Sequence, residues 1–374
     1  MTAGQWDANR KLRILYVAYS LLPVSENSAG GAEQVLWTLE REIHARGHLT
    51  TVAACDGSRV AGALFETGEP AVTLDQFELR AKEQRGAILQ WLSGTASPDF
   101  DLIHDMSGGF WQHSAGLQIP VLATLHLPRC LYKDFDAWEF PEAASFNCVS
   151  HSQLSEFPHL PRLLGALSNG IALDRFPKEP VASSNREYLL WLGRICEEKG
   201  THTALDVAEV VGEKIIIAGA VYPFLYHQKY FAREVIPRMK RAGNRARYID
   251  RPSFAEKIEL LRNARALLIT SEVNETSSLV AMEAAACGTP VIALRRGALP
   301  EVLADQVTGY LVDDAEEMAT ALKQIGDINS LACREYAEQH YSSSRMADEY
   351  LDVYRKVLHT TAIVPTRPLQ AQRP

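Results

Sequence analysis

Residues 12–54 read LRILYVAYSLLPVSENSAGGAEQVLWTLEREIHARGHLTTVAA, and this stretch decides the fold. The apolar run at 12–18 is typical of a strand that is buried on both faces. A loop with Gly30 and Gly31 follows, then apolar residues at helical spacing over 32–45, then a strand-like run at 48–54. A strand, a glycine-containing loop, a helix and a second strand form a βαβ unit, which implies a parallel sheet.

The same alternation continues along the chain in two series. Short strand candidates follow at 101–104, 121–126 and 146–150, and a second series lies at 188–193, 214–218, 266–270 and 291–294. Helical spacing is clearest at 254–263, 279–286 and 316–325, and residues 331–358 fit a pair of helices. The pattern predicts an α/β protein with two doubly wound, Rossmann-like domains that face each other across a cleft. Ligands of such sheets bind beyond the carboxyl ends of the strands, so the cleft is the expected site.

Composition changes mark the predicted domain limits. Residues 172–187 are rich in proline, serine and charge, and we interpret them as a linker. The predicted N-terminal domain is 1–171 and the predicted C-terminal domain is 172–343. The segment 360–374 contains several prolines and is predicted to be disordered.

The overall composition limits the class of protein. The 374 residues are 47% hydrophobic and 22% charged, which is typical of a globular protein, and the net charge of −8 argues against nucleic acid as a partner. The chain has neither an apolar signal core near its start nor an apolar run of about 18 residues. We therefore expect a cytoplasmic protein without integral membrane association. The six cysteines are scattered without zinc spacing, so free thiols and no metal site are expected.

The strongest candidate site is SEVNETSSLVAMEAAACGTPVIALRRGALPE at 271–301. Glu275 precedes a predicted helix that starts near Leu279, and Glu283 lies inside it. The side chains before the helix, Thr276, Ser277 and Ser278, are types that favour the N-cap position. Unpaired amides and the helix dipole make such a helix start a seat for a diphosphate. The alternative is that both carboxylates are ordinary solvent-facing charges.

A second candidate is WLGRICEEKG at 191–200. Gly193 ends a predicted strand, and Arg194 and Lys199 follow within six residues. Two cations at the carboxyl end of a strand are suited to stabilise the charge on a departing diphosphate. The alternative is an exposed turn in which Glu197 and Glu198 neutralise the two cations.

Two weaker candidates lie in the N-terminal half. Gly30 and Gly31 would let the backbone approach a phosphate closely, although the sequence AGGAE equally suits a plain turn. His126 ends the VLATLH strand candidate, where an imidazole would contact a sugar or relay a proton. The alternative is a structural histidine.

Taken in chain order, these segments resemble family 4 of the retaining glycosyltransferases, which have the GT-B fold. The resemblance covers about residues 12–358 and rests on the segments GGAE at 30–33, NGIALDRF at 169–176, GRICEEKG at 193–200, the Glu275–Glu283 pair followed by EAAACGTPVIA, GALPE at 297–301 and TGYLV at 308–312. It also implies that a last helix, at 344–358, crosses back onto the N-terminal domain.

The resemblance implies a role for each candidate residue. Arg194 and Lys199 would hold the donor diphosphate, Glu275 the transferred sugar, and Glu283 the ribose. Further donor contacts are implied for backbone amides and for the facing domain, at Gly30, Gly31, Gly193, Thr276, Ser277, Ser278 and Leu279. His126 would lie near the reacting face of the sugar.

One departure from the family pattern bears on the sugar. The family commonly has Phe-Gly shortly after the first glutamate, whereas Glu275 is followed here by Thr-Ser-Ser-Leu. The backbone role survives this change, but the sugar is left open. Arg251 lies where the base-binding loop of the family falls, and side chains there vary too much to distinguish uracil from guanine.

The sequence therefore predicts a retaining, metal-independent enzyme that transfers a hexose from a nucleotide diphosphate sugar. UDP-sugars are favoured, with GDP-mannose next, and no cofactor or metal is expected. The expected acceptor is a soluble small molecule or glycan, contacted by the aromatic loops 105–111 and 127–140.

Three alternatives stay open from the sequence. A nucleotide-sugar epimerase would share this architecture, and a catalytically silent nucleotide-sugar-binding protein would share the motifs. A GT-A enzyme would use a metal-binding DxD motif, for which 99–101 and 134–136 have the pattern.

Overall fold

The computed structural model describes residues 10–71, 73–95, 98–132, 135–181 and 185–362. Its strands are β1 Arg13–Val17, β2 Leu49–Ala54, β3 Ala63–Glu66, β4 Leu102–Asp105, β5 Val121–Leu125, β6 Ala144–Cys148, β7 Leu163–Ala166, β8 Tyr188–Leu192, β9 Ile215–Ala218, β10 Ala246–Ile249, β11 Ala264–Ile269, β12 Val291–Leu294 and β13 Gly309–Val312. Its helices are α1 Gly31–Ala45, α2 Leu74–Ser93, α3 His151–Ser155, α4 Thr201–Val211, α5 Leu225–Tyr230, α6 Ile236–Ala242, α7 Phe254–Asn263, α8 Leu279–Ala286, α9 Leu299–Val302, α10 Ala315–Gln324, α11 Ser330–His340 and α12 Ser343–Ala362.

The strands form two separate sheets in the described part of the chain. The N-terminal sheet has the order β3-β2-β1-β4-β5-β6-β7 and the C-terminal sheet the order β10-β9-β8-β11-β12-β13. The paired strands run parallel throughout, and each sheet has an apolar cluster on either face. The predicted architecture of two doubly wound sheets is confirmed.

The strands that sequence patterns missed are the outer ones. β3 and β7 are the edges of the N-terminal sheet, and β10 and β13 are the edges of the C-terminal sheet. The first three have half-exposed residues, whereas β4, β5 and β6 are buried at every position. An edge strand has solvent on one side and needs no continuous apolar run, so the pattern that identifies a central strand is weak there.

The last helix, α12, packs on the N-terminal sheet, as the resemblance implies. The hydroxyl of Tyr354 lies 2.8 Å from His104 Nδ1 and 3.1 Å from the hydroxyl of Tyr16, both on central strands. The helix runs to Ala362, so the prediction of disorder was wrong for its first three residues, 360–362, because the helix continues through them. The rest of that predicted tail, 363–374, lies outside the described residues.

The chain passes between the two halves twice, at neighbouring points. Ile171 forms an isolated bridge with Ser342, and its N–H donates to the carbonyl of Tyr341. In the described part of the predicted linker, 172–181 and 185–187, the structure has a short 3-10 turn at Leu173–Arg175 and no strand. The exact domain limits stay a prediction.

Candidate active site

A cavity of about 740 Å³ lies between the two sheets, beyond the carboxyl ends of their central strands. Loops that follow β1, β5, β8, β9, β10 and β11 all reach it. The residues that the sequence assigned to donor binding or catalysis all line this cavity: Gly30, Gly31, His126, Gly193, Arg194, Lys199, Arg251, Glu275, Thr276, Ser277, Ser278, Leu279 and Glu283. Their convergence from segments up to about 250 residues apart follows from the doubly wound topology.

Lys199 and Glu275 form an ion pair at the floor of the cavity. Lys199 Nζ lies 2.5 Å from Glu275 Oε1, and the Ser271 hydroxyl donates to the same oxygen. The side chain of Glu275 is 10% exposed. The alternative in which Glu197 and Glu198 neutralise the charge of Lys199 is therefore wrong. The ion-pair partner of Lys199 is Glu275, which follows β11, whereas Lys199 itself follows β8.

Close backbone contacts fix the loops that carry this pair. Gly200 is left-handed at φ +64°, and a Cβ there would lie 2.0 Å from the carbonyl oxygen of Thr270. The Thr270 hydroxyl in turn lies 2.7 Å from the carbonyl oxygen of Gly200. On the other side, Gly297 is left-handed at φ +53°, and a Cβ there would lie 2.3 Å from the carbonyl oxygen of Glu275. These glycines let three loops lie in contact, which positions Lys199 and Glu275.

Arg194 has no ion-pair partner within the described ranges. Its guanidinium lies 5.6 Å from the centre of the Tyr222 ring, and the residue is half-buried at the cavity wall. A confined cation without a paired carboxylate favours an anionic ligand beside it.

Glu283 is buried rather than solvent-facing. Its side chain is 4% exposed, and Oε1 lies 2.5 Å from Nζ of Lys257 on α7. A buried carboxylate requires such a partner because burial without one is costly. Sequence analysis missed Lys257, since a separation of 26 residues carries no local signal.

The residues before α8 act differently from the N-cap prediction. Ser278 is the N-cap residue, but its side chain makes no capping hydrogen bond. The Thr276 hydroxyl donates to the carbonyl of His126 at 2.8 Å, and Asn169 Nδ2 donates to the Ser277 hydroxyl at 3.0 Å. These two side chains bridge the cleft, because they face the N-terminal sheet instead of the helix end.

His126 is neutral in this environment. Burial lowers the pKa of its imidazole to about 4, and Nε2 is buried without a hydrogen-bond partner in the described structure. The expectation of a proton relay is not favoured, because a group with this pKa does not hold a proton near neutral pH. A neutral imidazole with one free nitrogen is instead suited to one directional hydrogen bond with a ligand.

The glycines at the start of α1 face the start of α8 across the cavity. Gly30 is the N-cap residue of α1, and a Cβ there would lie 2.0 Å from Oε2 of Glu33. At Gly31 a Cβ would meet only Cδ1 of Leu279, at 3.7 Å. Protein packing alone does not require a glycine at 31, so the space in front of it is available to a ligand.

Glu33 is a site residue to which sequence analysis gave no role. It lines the cavity, is 5% exposed, and burial raises the pKa of its carboxyl to about 7. The available signal was its place in the GGAE segment, two positions after Gly31.

The aromatic loops expected to contact the acceptor pack away from the cavity. Trp111 is fully buried, its ring stacks on that of Phe140 at 5.5 Å, and its backbone N–H donates to Asp105 Oδ2 at 2.9 Å. Of the described residues in the two loops, Leu127 is the one that lines the cavity. The prediction was wrong because these rings build the core on one face of the N-terminal sheet.

Other aromatic side chains line the N-terminal side of the cavity. Tyr19, Phe77 and Trp37 lie there, and the Tyr19 hydroxyl is buried without a hydrogen-bond partner in the described ranges. Across the cleft, the guanidinium of Arg175 lies 5.0 Å from the ring centre of Trp37 and 3.6 Å from that of Phe254. This stack joins α1 and α7 beside the cavity.

A carboxylate of the C-terminal half also bridges the cleft. Glu301 accepts hydrogen bonds from the N–H groups of His151 and Ser152, at 2.7 and 2.5 Å. Together with the bond from Thr276, it holds the two halves in contact around the cavity.

Two predicted features lie at the margin of the site or away from it. Arg251 lines the cavity with 65% of its side chain exposed and has φ +44°, an unusual value for a residue with a side chain. The first DxD candidate is engaged elsewhere, because Asp101 pairs with Arg10 and accepts from the N–H of Arg13. In the second candidate, Asp134 and the side chain of Asp136 lie outside the described part of the chain.

Among the described residues, no helix combines the length and the apolar character that crossing a membrane requires.

Comparison with known proteins gives a family match in the C-terminal half. The family model described as Glycosyl transferases group 1 matches residues 186–327. The D-inositol 3-phosphate glycosyltransferase of Saccharomonospora viridis is 37% identical over 120 residues, which are 30% of this chain and 27% of that enzyme. The chain thus spans about a quarter of the length of this curated relative.

Solved structures match over nearly the whole chain. AviGT4, a glycosyltransferase involved in avilamycin A biosynthesis, superposes with a TM-score of 0.68 at 21% identity, covering 93% of this chain and 98% of AviGT4. Alr3699/HepE of Anabaena in complex with UDP-glucose gives a TM-score of 0.72 at 18% identity, covering 92% of this chain and all of HepE. These structures confirm the predicted fold class.

Proposed function

We propose that this chain, a GT-B glycosyltransferase by its fold and by the group 1 sequence of its C-terminal half, transfers a hexose from a nucleotide diphosphate sugar to an acceptor. The observation that carries the proposal is the single cavity that all the predicted donor residues line, with the Lys199–Glu275 pair at its floor. The cavity is large enough for a nucleotide sugar, and its wall carries cations and carboxylates side by side, as in the Lys199–Glu275 and Lys257–Glu283 pairs.

The donor diphosphate would lie between Arg194, Lys199 and the start of α8. Arg194 makes no ion pair with a carboxylate of the described residues, although the charge of Glu198 lies near it, and α8 begins at Leu279 beside the cavity. Both cations would stabilise the charge that develops on the departing nucleoside diphosphate. Because they supply positive charge themselves, we propose that the transfer needs no divalent ion at the phosphates.

The two glutamates would hold the parts of the donor on either side of the diphosphate. Glu283, with Lys257 balancing its charge, would accept hydrogen bonds from the ribose hydroxyls. Glu275, oriented by Lys199 and Ser271, would accept from hydroxyls of the transferred sugar. His126 would donate or accept one hydrogen bond at the reacting face.

Closure of the cleft would exclude water, which competes with the acceptor as nucleophile. The bond from Thr276 to the His126 carbonyl brings the two sides of the reacting centre together. We propose retention of the anomeric configuration on the basis of the family resemblance.

A UDP-sugar is the favoured donor in this proposal, with GDP-mannose next. Support comes from HepE, which has the same fold and binds UDP-glucose in its solved structure. The proposed acceptor is a soluble small molecule or glycan that enters beside Tyr19, Phe77 and Glu33. The unpartnered hydroxyl of Tyr19 gives this side a hydrogen-bonding group for an acceptor hydroxyl.

The competing proposals differ in what happens to the donor alone. An epimerase would convert a UDP-sugar into its isomer with no acceptor present, whereas a silent binding protein would leave it unchanged under all conditions. The cross-cleft contacts favour transfer, because they enclose a reacting centre between donor and acceptor sides.

The test of the proposed function is nucleoside diphosphate release from UDP-glucose and GDP-mannose, followed by product analysis. Each donor is incubated with a panel of sugar and polyol acceptors, with wild type, Arg194→Ala and the exposed control Lys214→Ala. Acceptor-dependent UDP release, an α-configured product by NMR, and no increase on adding Mg²⁺ or Mn²⁺ would support the proposal. Isomerisation without acceptor, an inverted product or an absolute need for the metal would contradict the corresponding part.

A further inference from the structure

The fold brings together three side chains that could not be grouped from their spacing. Cys196 and Glu198 lie on the loop after β8, and His227 lies on α5, after β9. The Cys196 sulfur, a Glu198 carboxylate oxygen and a His227 ring nitrogen all lie within 4.8 Å of one another. The cluster is next to the donor loop but separate from the side chains assigned to the donor.

Two of the three side chains have polar atoms without the partners that buried groups normally have, whereas the Cys196 sulfur lies 3.6 Å from the carbonyl oxygen of Arg194. His227 is fully buried, and neither Nδ1 nor Nε2 has a hydrogen-bond partner in the described structure. Oε2 of Glu198 is likewise buried without a partner. Buried polar groups are nearly always satisfied, so two such residues facing each other point to a missing ligand.

Aromatic rings surround the imidazole of His227. The rings of Phe224 and Tyr226 lie 5.2 and 4.2 Å from that of His227. Neither ring nitrogen of His227 has a hydrogen-bond partner among the described residues, so both are available to a ligand held among the three side chains.

The side chains of Cys196, Glu198 and His227 are of the types that bind zinc. Thiolate sulfur, imidazole nitrogen and carboxylate oxygen are its ordinary ligands, with Zn–S about 2.3 Å and Zn–N about 2.0 Å. Tetrahedral geometry at these bond lengths separates the ligand atoms by roughly 3.5 Å. Because the three ligand atoms lie within 4.8 Å of one another, the contraction needed is at most about 1.3 Å, which side-chain rotation can supply.

We propose that Cys196, Glu198 and His227 bind one zinc ion, with water in the fourth position. Binding displaces the thiol proton of Cys196 to the solvent, so Zn²⁺, one thiolate and one carboxylate give a neutral centre beside Arg194. The ion joins the loop 193–200, which carries Arg194 and Lys199, to helix α5. The zinc ion positions the loop 193–200 without contacting the donor.

Metal content of the intact protein tests the proposal independently of any transferase activity. Full-length wild type, loaded with excess zinc and passed over a desalting column, is expected to retain about one zinc per chain. His227→Ala and Cys196→Ser are expected to retain less than a tenth of that. The control Cys333→Ser, which removes an equally buried free thiol, should retain the wild-type amount.

Cobalt substitution identifies the thiolate ligand. Wild type and Cys333→Ser titrated with Co²⁺ should develop a sulfur-to-cobalt charge-transfer band in the near ultraviolet, and Cys196→Ser should not. Circular dichroism of each variant shows that it is folded. A wild-type protein that retains no zinc and gives no cobalt band would overturn the proposal, as would uptake that is unchanged in folded Cys196→Ser and His227→Ala.

Discussion

Lys199 Nζ and Glu275 Oε1 lie 2.5 Å apart, although the two residues are 76 positions apart and follow different strands of the C-terminal sheet. The pair gives the cavity floor a fixed carboxylate and a cation shared between that carboxylate and any bound phosphate. Its two loops are held by Gly200 and Gly297, at which a Cβ would collide with the facing backbone.

Removal of Lys199 should therefore leave the Glu275 carboxylate less well fixed and remove a cation that would contact the bound phosphate. Lys199→Ala is expected to lower kcat for transfer at least about 100-fold, the loss typical of removing one electrostatic contact to a developing charge. Lys199→Arg should recover part of this loss because it keeps the charge. Steady-state kinetics with Lys214→Ala as the control measures the effect, and wild-type kcat in Lys199→Ala would contradict the assignment.

The Lys257–Glu283 pair predicts a non-additive effect on stability. Each single change, Glu283→Leu or Lys257→Met, leaves a buried charge without its partner and should cost roughly 3–5 kcal/mol of unfolding free energy. The double variant should regain most of that loss, because two apolar side chains replace the pair. Urea unfolding of all four proteins completes the cycle, and additive losses would show that the two charges do not interact.

The sequence was sufficient to predict most of the proposed donor-binding residues. It was insufficient for residues that only the fold brings together, for the acceptor side and for the edge strands. Glu283, Lys199 and Arg194 were identified because they lie in short segments with local patterns. Lys257 and His227 were missed because their partners are distant in sequence and only the fold brings them together. The aromatic residues near Trp111 were misassigned because exposed and buried rings look alike in sequence, and the edge strands β3 and β10 each carry a charged residue that interrupts the apolar run of a central strand.

The burial of the Glu33 carboxyl predicts that the stability of the fold depends on pH. Its pKa rises from 4.5 to about 7 on folding, because burial disfavours the carboxylate. Between these values the unfolded chain loses the proton while the folded chain keeps it, so stability falls as pH rises from about 4.5 to 7. A shift of this size corresponds to about 3 kcal/mol.

Glu33→Gln should remove the part of the pH dependence of stability that is caused by the buried carboxyl. Its unfolding free energy is expected to exceed that of wild type at pH 8, with the advantage shrinking towards pH 4.5, whereas the exposed control Glu26→Gln should follow wild type. Denaturant unfolding at several pH values gives the comparison. Parallel pH profiles for wild type and Glu33→Gln would show that this carboxyl does not titrate as assigned.

The two hydrogen bonds that Glu301 accepts across the cleft predict that its removal favours an open cleft. Glu301→Ala removes two hydrogen bonds between the halves and should increase the fraction of open molecules, because those bonds exist only in the closed arrangement. Small-angle X-ray scattering should report a larger radius of gyration, and the KM for the donor should rise. Glu335→Ala, at an exposed position on α11, is the matched control, and equal radii for all three proteins would contradict the prediction.

The central claim is that the cavity binds the nucleotide part of a sugar donor through Glu283. Thermal unfolding of wild type, Glu283→Gln and the exposed control Glu316→Gln, each with UDP, UDP-glucose, GDP, GDP-mannose or ADP, tests it most directly. A ligand at about 100 times its Kd should stabilise wild type and the control by about 2.7 kcal/mol. We predict such stabilisation by UDP and UDP-glucose, lost in Glu283→Gln. No stabilisation of wild type by any of the five, or equal stabilisation of all three proteins, would contradict the account.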